Sequence, residues 1–170
     1  MGYGKQATMP PECIVEAKDN NQEKRTKMTD EEKEATIRLN ACGLKPSVQR
    51  VAILGQLISR HDHPTVEDVH KSLNEDIPTL SKTTVYNTLR MFSERKVAQM
   101  ITVDEHRVCY DGNTTPHVHF MCRKCGRIFD LMGEKAPMIK KGHKTIEGNV
   151  IDEVQLYYKG VCRECSAEEA

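Results

Sequence analysis

Apolar and polar residues recur at helical spacing in four successive segments between residues 29 and 96. The first segment, residues 30–42, opens with three acidic residues after Thr29 and ends before Gly43. Threonine is a good N-cap, acidic side chains favour the positive end of a helix, and glycine commonly follows its last turn. The pattern therefore predicts a helix over 30–42.

Three more helices are predicted, each after a residue that can cap it. Ser47 precedes the apolar positions of the second, Thr65 those of the third, and Ser81 those of the fourth, which covers residues 82 to about 96. Two short strand patterns with polar residues between them follow, at 97–103 and 107–110. Helices closed by such a hairpin predict a winged helix-turn-helix.

The pattern changes after Asp111, where shorter apolar runs replace the helical stripes. The elements predicted there are strands at 117–120 and 127–131, a helix over about 136–146, and a strand over 150–158. The expected fold class is α+β, with a small C-terminal α/β domain after the winged helix. The expected division is a polar N-terminal extension at 1–28, a first domain at 29–111 and a second at 112–170.

Composition and charge narrow the function classes. Hydrophobic residues make up 38% of the 170, with no Trp, so a metal ion or a partner subunit can supply stability beyond the core. No apolar run is long enough to cross a bilayer, and the first residues lack the apolar core of an export signal. We therefore expect a cytoplasmic protein without membrane contacts. A formal net charge of zero disfavours a general nucleic-acid coat but permits a reader with one basic face.

Two Cys-x-x-Cys pairs, Cys122/Cys125 and Cys162/Cys165, carry the strongest chemical signal. Two residues between cysteines let both thiolates bind one ion, and two such pairs complete a tetrahedral zinc site. A site of four thiolates has no open position, so it predicts structural rather than catalytic zinc, which would clamp the second domain. The alternatives are a redox dithiol or four buried thiols, but redox pairs usually occur singly at a helix start.

A second constellation combines His117 and His119 with Asp111 upstream and Asp130 downstream. Side chains alternate along a strand, so the two histidines point the same way. Imidazole and carboxylate ligands together suit Fe(II), Mn(II), Co(II) or Zn(II). A further ligand can come from the first domain, where His63 in the loop before Pro64 is best placed. A histidine pair of this kind is equally typical of an ordinary protein surface.

The polar face of the fourth predicted helix is a candidate DNA reader. Lys82 and Arg90 can meet phosphates, whereas Thr83 and Tyr86 can touch base edges, and Asn87 shares their face. The alternative is a solvated amphipathic helix. The helix-turn-helix setting favours DNA.

Taken together, these motifs resemble the ferric uptake regulator family over about residue 30 to the C-terminus. The resemblance rests on the recognition-helix sequence at 80–89, the His63-Pro-Thr loop, His117-Val-His119 and the two cysteine pairs. It implies a homodimer formed through the second domain, structural Zn(II), and a regulatory metal that bridges the domains. It also implies that both recognition helices bind one palindromic double-stranded operator, with Tyr86 at bases and Lys45 in the minor groove.

Within the family, the regulatory ligands most resemble the peroxide-sensing branch. That branch uses three histidines and two aspartates, which match His63, His117, His119, Asp111 and Asp130, around Fe(II) or Mn(II). Iron-sensing relatives more often carry glutamates at the acidic positions. They also carry a second histidine-rich site with a ligand in the last strand, and Val154 stands at that position here, so this second site is expected to be absent. Asn87 also departs from the basic residue of many iron regulators.

The expected function is therefore a peroxide-responsive repressor, and the alternative is an iron- or zinc-responsive repressor of metal-uptake genes. A zinc hydrolase or deaminase would need an open zinc site with a nearby general-base glutamate. The sequence contains no His-Glu-x-x-His motif and no His-x-Glu before the cysteine pairs, so no enzyme is expected. A thiol redox switch would be excluded by stable zinc in all four cysteines. Cys13, Cys42 and Cys109 remain without a role.

Overall fold

The computed structural model describes residues 28–102, 107–135, 145–151 and 153–168. Four helices come first: α1 (Asp30–Ala41), α2 (Val48–Ser59), α3 (Val66–Leu73) and α4 (Lys82–Glu94). The wing follows, formed by β1 (Gln99–Thr102) and β2 (Val108–Asp111). The rest comprises β3 (Val118–Cys122), β4 (Ile128–Leu131), β5 (Thr145–Ile146), β6 (Asn149–Val150), β7 (Tyr157–Gly160) and α5 (Arg163–Ala167). We call α1–β2 the N-terminal half and β3–α5 the C-terminal half.

The four N-terminal helices begin at the predicted capping residues. The side chains of Ser47 and Ser81 each accept a hydrogen bond from the third backbone amide that follows. Thr29 and Thr65 go further, since each forms a reciprocal capping box with an acidic residue three positions on. The prediction of four helices and their starts is therefore confirmed.

One apolar core holds the helices and the base of the wing together. Its fully buried centre includes Leu39 of α1, Leu54 of α2, Leu89 and Phe92 of α4, and Val97 before the wing. Each helix turns its apolar stripe inward, which leaves the polar face of α4 in solvent. The predicted α+β class and winged helix-turn-helix are confirmed.

The C-terminal half is built on a three-stranded sheet in the order β4-β3-β7. β3 pairs antiparallel with β4, which places His119 directly opposite Asp130. It pairs in parallel with β7, which places Cys122 opposite Gly160. The sheet thus brings the start and the end of this half together at its two cysteine pairs.

Two sequence predictions in the C-terminal half are wrong. The helix expected over about 136–146 is contradicted at its end, where residues 145–146 form a strand paired with β6; residues 136–144 lie outside the described part. Glu147 and Gly148, both at positive φ, make the tight turn between these strands. The single strand expected over 150–158 is not formed: β6 ends at Val150, β7 begins at Tyr157, and residues 153–156 between them are irregular, with Gln155 bonded to the Met100 carbonyl oxygen of the wing.

The two halves meet at a tightly fixed junction after β2. A Cβ added to Gly112 would lie 2.5 Å from the Leu57 carbonyl oxygen, so only glycine fits against α2. The Arg38 guanidinium of α1 donates to the Gly112 carbonyl oxygen. The Tyr110 amide donates to the Pro64 carbonyl oxygen at 3.0 Å, which ties β2 to the loop that carries His63.

Candidate metal centres and DNA-binding face

Five side chains from both halves converge on one buried point. His63 and Asp111 come from the N-terminal half, whereas His117, His119 and Asp130 come from the C-terminal sheet and the residue just before it. One potential ligand atom from each lies within 4.8 Å of the others. The structure therefore assembles all five of the residues predicted as regulatory ligands; we call them the His/Asp cluster.

Their donor atoms are spaced like the corners of a coordination polyhedron. Asp130 Oδ1 lies 2.7 Å from His63 Nε2, 3.1 Å from His117 Nε2 and 3.6 Å from His119 Nε2. Asp111 Oδ2 lies 3.2 Å from His117 Nε2 and 3.7 Å from His119 Nε2. Neighbouring ligands of an octahedral ion with bonds of about 2.1 Å lie about 3.0 Å apart, so the observed spacing fits a divalent cation.

Local backbone contacts aim these atoms inward. His117 Nδ1–H donates a hydrogen bond to the Thr115 carbonyl oxygen at 2.7 Å, so Nε2 keeps a lone pair on the cluster side. The Asn113 amide donates to Asp111 Oδ1 at 2.7 Å and leaves Oδ2 facing the histidines. His63 has φ 52°, a left-handed conformation that is costly before proline and is held here by burial of the side chain.

Two of the inward-facing atoms, Asp111 Oδ2 and His119 Nε2, are buried without a hydrogen-bond partner among the described residues. A buried polar atom without a partner costs about 1–3 kcal/mol, so such atoms usually mark the place of a ligand or an ion. Two carboxylates and three neutral imidazoles carry two formal negative charges, which one divalent cation neutralises. The donor set therefore fits the metals expected from the sequence.

The acid–base balance of the cluster supports the same conclusion. Burial raises the pKa of the Asp130 carboxyl, but the hydrogen bond with His63 and the nearby imidazoles hold it below its ordinary value. Burial lowers the pKa of His63, but Asp130 and Asp111 outweigh it and the net shift is upward. These carboxylates thus attract positive charge, which either protons or a metal ion can supply.

The side chains of Cys122, Cys125, Cys162 and Cys165 form a second cluster, wholly within the C-terminal half; we call it the cysteine cluster. Their sulfurs lie within 4.8 Å of one another, and Cys125 Sγ is 3.9 Å from Cys162 Sγ. Tetrahedral thiolates at about 2.3 Å from zinc lie about 3.8 Å apart, so the geometry fits the predicted structural zinc. Gly126, at φ 70°, supplies the left-handed turn after the first pair.

Backbone amides favour thiolate at one member of the cysteine cluster, and burial disfavours it at another. The Cys125 and Cys162 amides donate to Cys122 Sγ at 3.5 Å and 3.3 Å, and such contacts lower the pKa of Cys122 to about 6. Burial and the neighbouring thiols raise the pKa of Cys165 to about 12. Four thiolates this close need a cation to neutralise them, which is what zinc ligation provides.

Arg127 borders this cluster, although no sequence signal pointed to it. Its Nε donates to Cys125 Sγ at 3.5 Å, its guanidinium lies 5.3 Å from the Phe129 ring centroid, and it pairs with Glu164. This hydrogen bond from a cation lowers the pKa of the Cys125 thiol and so favours its thiolate. Tyr157 was missed in the same way: its ring stacks on His119, a neighbour across β3 and β7 that only the register reveals.

The side chains predicted to read DNA are all exposed on the surface of the N-terminal half. Those on α4 are Lys82, Thr83, Tyr86, Asn87 and Arg90, and Lys45 lies in the loop before α2. The Tyr86 side chain is 48% exposed, which is unusual for a large side chain and leaves it able to meet a partner. Lys82 pairs with Glu67, and Arg90 pairs with Glu94 at 2.9 Å, so both cations have carboxylates to exchange for phosphates.

Among the residues that the structure describes, the remaining histidines and cysteines lie apart from both clusters. His70 contacts the Leu80 carbonyl oxygen at 3.0 Å, and His61 is exposed. Cys42 is half-buried at the end of α1, and Cys109 is buried within the wing. Cys13, His106 and His143 lie outside the described residues. Among the described residues, no helix is long and apolar enough to cross a membrane.

Comparison with known proteins agrees with this architecture. The profile of the ferric uptake regulator family matches residues 41–159. A peroxide-responsive repressor of Staphylococcus aureus is 32% identical over 132 residues, which span 78% of this chain and 89% of the relative. The chain therefore belongs to the ferric uptake regulator family, whose members are metal-responsive, DNA-binding transcriptional regulators.

Two solved relatives extend the likeness to three dimensions. The ferric uptake regulator of Francisella tularensis, solved with iron, is 26% identical with a TM-score of 0.56, covering 73% of this chain and 96% of that one. The regulator of Pseudomonas aeruginosa, solved with manganese, is 26% identical with a TM-score of 0.58, covering 76% of this chain and 98% of that one.

Proposed function

We propose that this chain is a DNA-binding transcriptional repressor that responds to peroxide through a regulatory Fe(II) or Mn(II) ion. The observation that carries the proposal is the His/Asp cluster, whose five ligands come from both halves of the chain and converge within 4.8 Å. An ion held by both halves is bound only when they are closed together, so it favours the closed arrangement.

The assignment of the regulatory ligands is part of this proposal: His63, Asp111, His117, His119 and Asp130. The proposed domains are an N-terminal extension at 1–28, a DNA-binding domain at 29–111, and a dimerisation and sensing domain at 112–170.

In a homodimer, closure sets the distance between two copies of α4, which must fit successive major grooves of a palindromic operator. A repressor acts where its DNA lies, so the proposal assigns the protein to the cytoplasm.

The four cysteines are proposed to hold structural zinc. Their cluster joins the end of β3 to α5, and the C-terminal half has few buried apolar residues of its own around it. Neither cluster is proposed to catalyse a reaction on an outside substrate, since the cysteine cluster offers no open position. The proposed protein is therefore not an enzyme.

The DNA face is proposed to combine base and backbone contacts. Tyr86, Thr83 and Asn87 face the bases, whereas Lys82, Arg90 and Lys45 neutralise the DNA backbone. Tyr86→Ala should weaken binding to an operator duplex selected in vitro by about 1–3 kcal/mol, because a base contact is lost. Lys45→Ala should weaken binding to all sequences. It should also reduce the slope of log affinity against log salt concentration by about one, because one fewer phosphate is neutralised. Lys159→Ala, an exposed lysine of β7, is the charge-matched control.

Peroxide sensing is proposed because both acidic ligands are aspartates and the S. aureus relative responds to peroxide. Bound Fe(II) can reduce peroxide, whereas Mn(II) is a much poorer reductant. An Fe(II) ion held by the His/Asp cluster would supply the electrons that reduce peroxide next to its ligands, so His63 or His117 is expected to gain an oxygen atom. A modified imidazole would no longer hold the ion, and the protein is then expected to release DNA.

The test compares zinc-loaded protein carrying Fe(II) with the same protein carrying Mn(II), each with and without peroxide. Binding to the selected operator is followed beside peptide mass spectrometry of both histidines. We expect an added oxygen and DNA release with iron alone, and a blunted response in Asp130→Asn. Unmodified histidines and retained DNA in the iron-loaded protein would contradict peroxide sensing.

The second candidate is an iron- or zinc-responsive repressor of metal-uptake genes. It is favoured by the solved relatives with iron and manganese, which are both ferric uptake regulators and match most of the chain. The same assay separates the two candidates, because this repressor would bind its operator according to metal concentration and ignore peroxide.

A further inference from the structure

Tyr157 lies between the His/Asp cluster and the wing, although it belongs to neither. It stands on β7 directly opposite His119 on β3 in the parallel register. The two rings stack with 5.6 Å between their centroids and 23° between their planes. The phenol ring therefore supports the imidazole of a proposed metal ligand.

The same ring packs against an apolar cluster that joins the wing to the C-terminal sheet. Its buried members are Ile101 of β1, Cys109 of β2 and Ile128 of β4, and Met121 and Tyr157 pack against them. Two of the three buried residues belong to the N-terminal half and one to the C-terminal half. Burial of these side chains is thus possible only when the wing is docked on the sheet.

Polar contacts fasten the segment before β7 to the wing as well. The Tyr157 hydroxyl donates to Gln155 Oε1, and Nε2 of the same Gln155 side chain donates to the Met100 carbonyl oxygen at 3.2 Å. Lys96 Nζ lies 2.8 Å from Glu153 Oε2. Lys96 precedes the wing and its exposed ion pair contributes little by itself, so the apolar cluster and the Gln155–Met100 hydrogen bond are the main connection.

His119 depends on ring contacts for its orientation more than His117 does. The His117 imidazole is fixed by the Thr115 carbonyl oxygen at 2.7 Å. The His119 ring meets Tyr157 on one side and the edges of His117 and His63 at 4.3 Å and 5.2 Å between centroids. Its Nε2 is buried without a hydrogen-bond partner among the described residues. The stack with Tyr157 therefore controls where this nitrogen points.

We propose that Tyr157 is a positioning residue that couples metal binding at the His/Asp cluster to docking of the wing. The inference rests on the proposed regulatory metal site. One part of the ring holds His119 in its ligating orientation, and the rest of the side chain holds β1. Coupling of this kind is reciprocal, so the metal stabilises the docked wing as much as docking strengthens metal binding.

The experiment uses the full zinc-loaded chain with Co(II) as the probe metal. Affinity and ligand geometry are measured from the visible absorption of Co(II). Wing docking is measured by hydrogen exchange of β1 and β2 with and without Co(II). The variants are Tyr157→Leu, which removes the stack, and Tyr157→Phe, which removes only the hydroxyl. Tyr158→Leu is the control, because Tyr158 is the exposed neighbour on the same strand.

In the wild type and in the control, Co(II) should slow exchange in the wing. Tyr157→Leu should bind Co(II) about tenfold more weakly, with a changed spectrum, and lose this protection. Tyr157→Phe should keep the wild-type spectrum with weaker protection, and it decides the question if Tyr157→Leu does not fold.

The inference would be overturned if Tyr157→Leu kept the wild-type Co(II) affinity, spectrum and wing protection. If Tyr157→Leu does not fold, unchanged wing protection in Tyr157→Phe would overturn it. Either result would leave the proposed metal site standing. Wild-type Co(II) binding that is unaffected by His119→Ala would instead overturn the proposed metal site, and this inference with it.

Discussion

The cysteine cluster and the His/Asp cluster have similar donor spacing but join different parts of the chain. All four cysteines belong to the C-terminal half, where the parallel pairing of β3 and β7 brings them together. The His/Asp cluster takes two ligands from the N-terminal half and three from the chain that follows it. An ion in the first adds to the folding free energy of one half, whereas an ion in the second changes how the halves are arranged.

The supports of the two clusters differ in the same sense. Backbone amides of both cysteine pairs donate to Cys122 Sγ, so the cysteine cluster is organised by the turn of its first pair and by the pairing of β3 with β7. The His/Asp cluster depends on a left-handed residue, His63, and on a junction at Gly112 that is packed against α2. Strained local features of this kind often occur at sites that switch between two states, which supports the switching role proposed for the His/Asp cluster.

The largest effect is expected from removing one thiolate of the cysteine cluster. Cys122→Ser should release zinc and unfold the C-terminal half or separate the dimer, because structural zinc binding contributes about 10–16 kcal/mol in small zinc domains. Elemental analysis and gel filtration measure both consequences. Cys42→Ser, a half-buried thiol outside the cluster, should keep zinc. A zinc-free Cys122→Ser that remains a folded dimer would remove the contrast between the clusters.

The next effect concerns His63, one of the two candidate ligands that the N-terminal half supplies. His63→Ala should keep zinc and the dimer but lose the gain in operator affinity that Mn(II) gives, on the order of a hundredfold for a typical coupling. Small-angle scattering should show no metal-induced closure. His61→Ala, two residues away and exposed, is the matched control. Closure by Mn(II) in His63→Ala as in the wild type would show that His63 does not join the halves.

Local patterns predicted the N-terminal half better than the C-terminal half. The helices start at capping residues, whose effect reaches only a few positions along the chain, so Ser47, Thr65 and Ser81 could be found from the sequence. The hairpin of β5 and β6 was missed because its strands are too short to show a period. Its turn residues, Glu147 and Gly148, were the remaining signal.

The members of both clusters could be predicted to lie together because spacing and strand alternation place them, and their role as ligands is the proposal. His119 and Asp130 lie opposite each other, as a strand return after Cys125 suggested. Tyr157 and Arg127 could not be predicted, since their roles depend on the register of β7 against β3 and on the path of a turn. Both are long-range outcomes of packing rather than of local pattern.

The junction between the halves offers a test that should affect one cluster and spare the other. Gly112→Ala places a Cβ 2.5 Å from the Leu57 carbonyl oxygen, so the backbone after Asp111 must shift. We expect a loss of about 2 kcal/mol in the free energy of unfolding and weaker Mn(II) binding, with zinc content unchanged. Urea unfolding and Mn(II) titration by electron paramagnetic resonance provide the measurements. Gly133→Ala, with open space around it, is the control, and equal behaviour of both variants would contradict the expectation.

The smallest expected effect comes from the capping box that begins α3 just after His63. Asp68 accepts hydrogen bonds from the Thr65 hydroxyl at 2.6 Å and from the Thr65 amide at 2.9 Å, and these contacts lower the pKa of Asp68 below its ordinary value of 3.8. Asp68→Ala should cost about 1 kcal/mol. A carboxyl with a lowered pKa stabilises the fold above its unfolded pKa and loses that contribution as pH falls through the folded pKa. Urea unfolding should therefore show that Asp68→Ala loses the same free energy of unfolding at about pH 7.5 and at about pH 5.5. Glu32→Ala removes the equivalent capping box of α1, a helix that carries no member of either cluster, and should cost a similar amount. Only Asp68→Ala should also weaken Mn(II) binding, because it loosens the loop that presents His63. Equal Mn(II) affinity in the two variants would show that this loop is held by its burial and not by the cap.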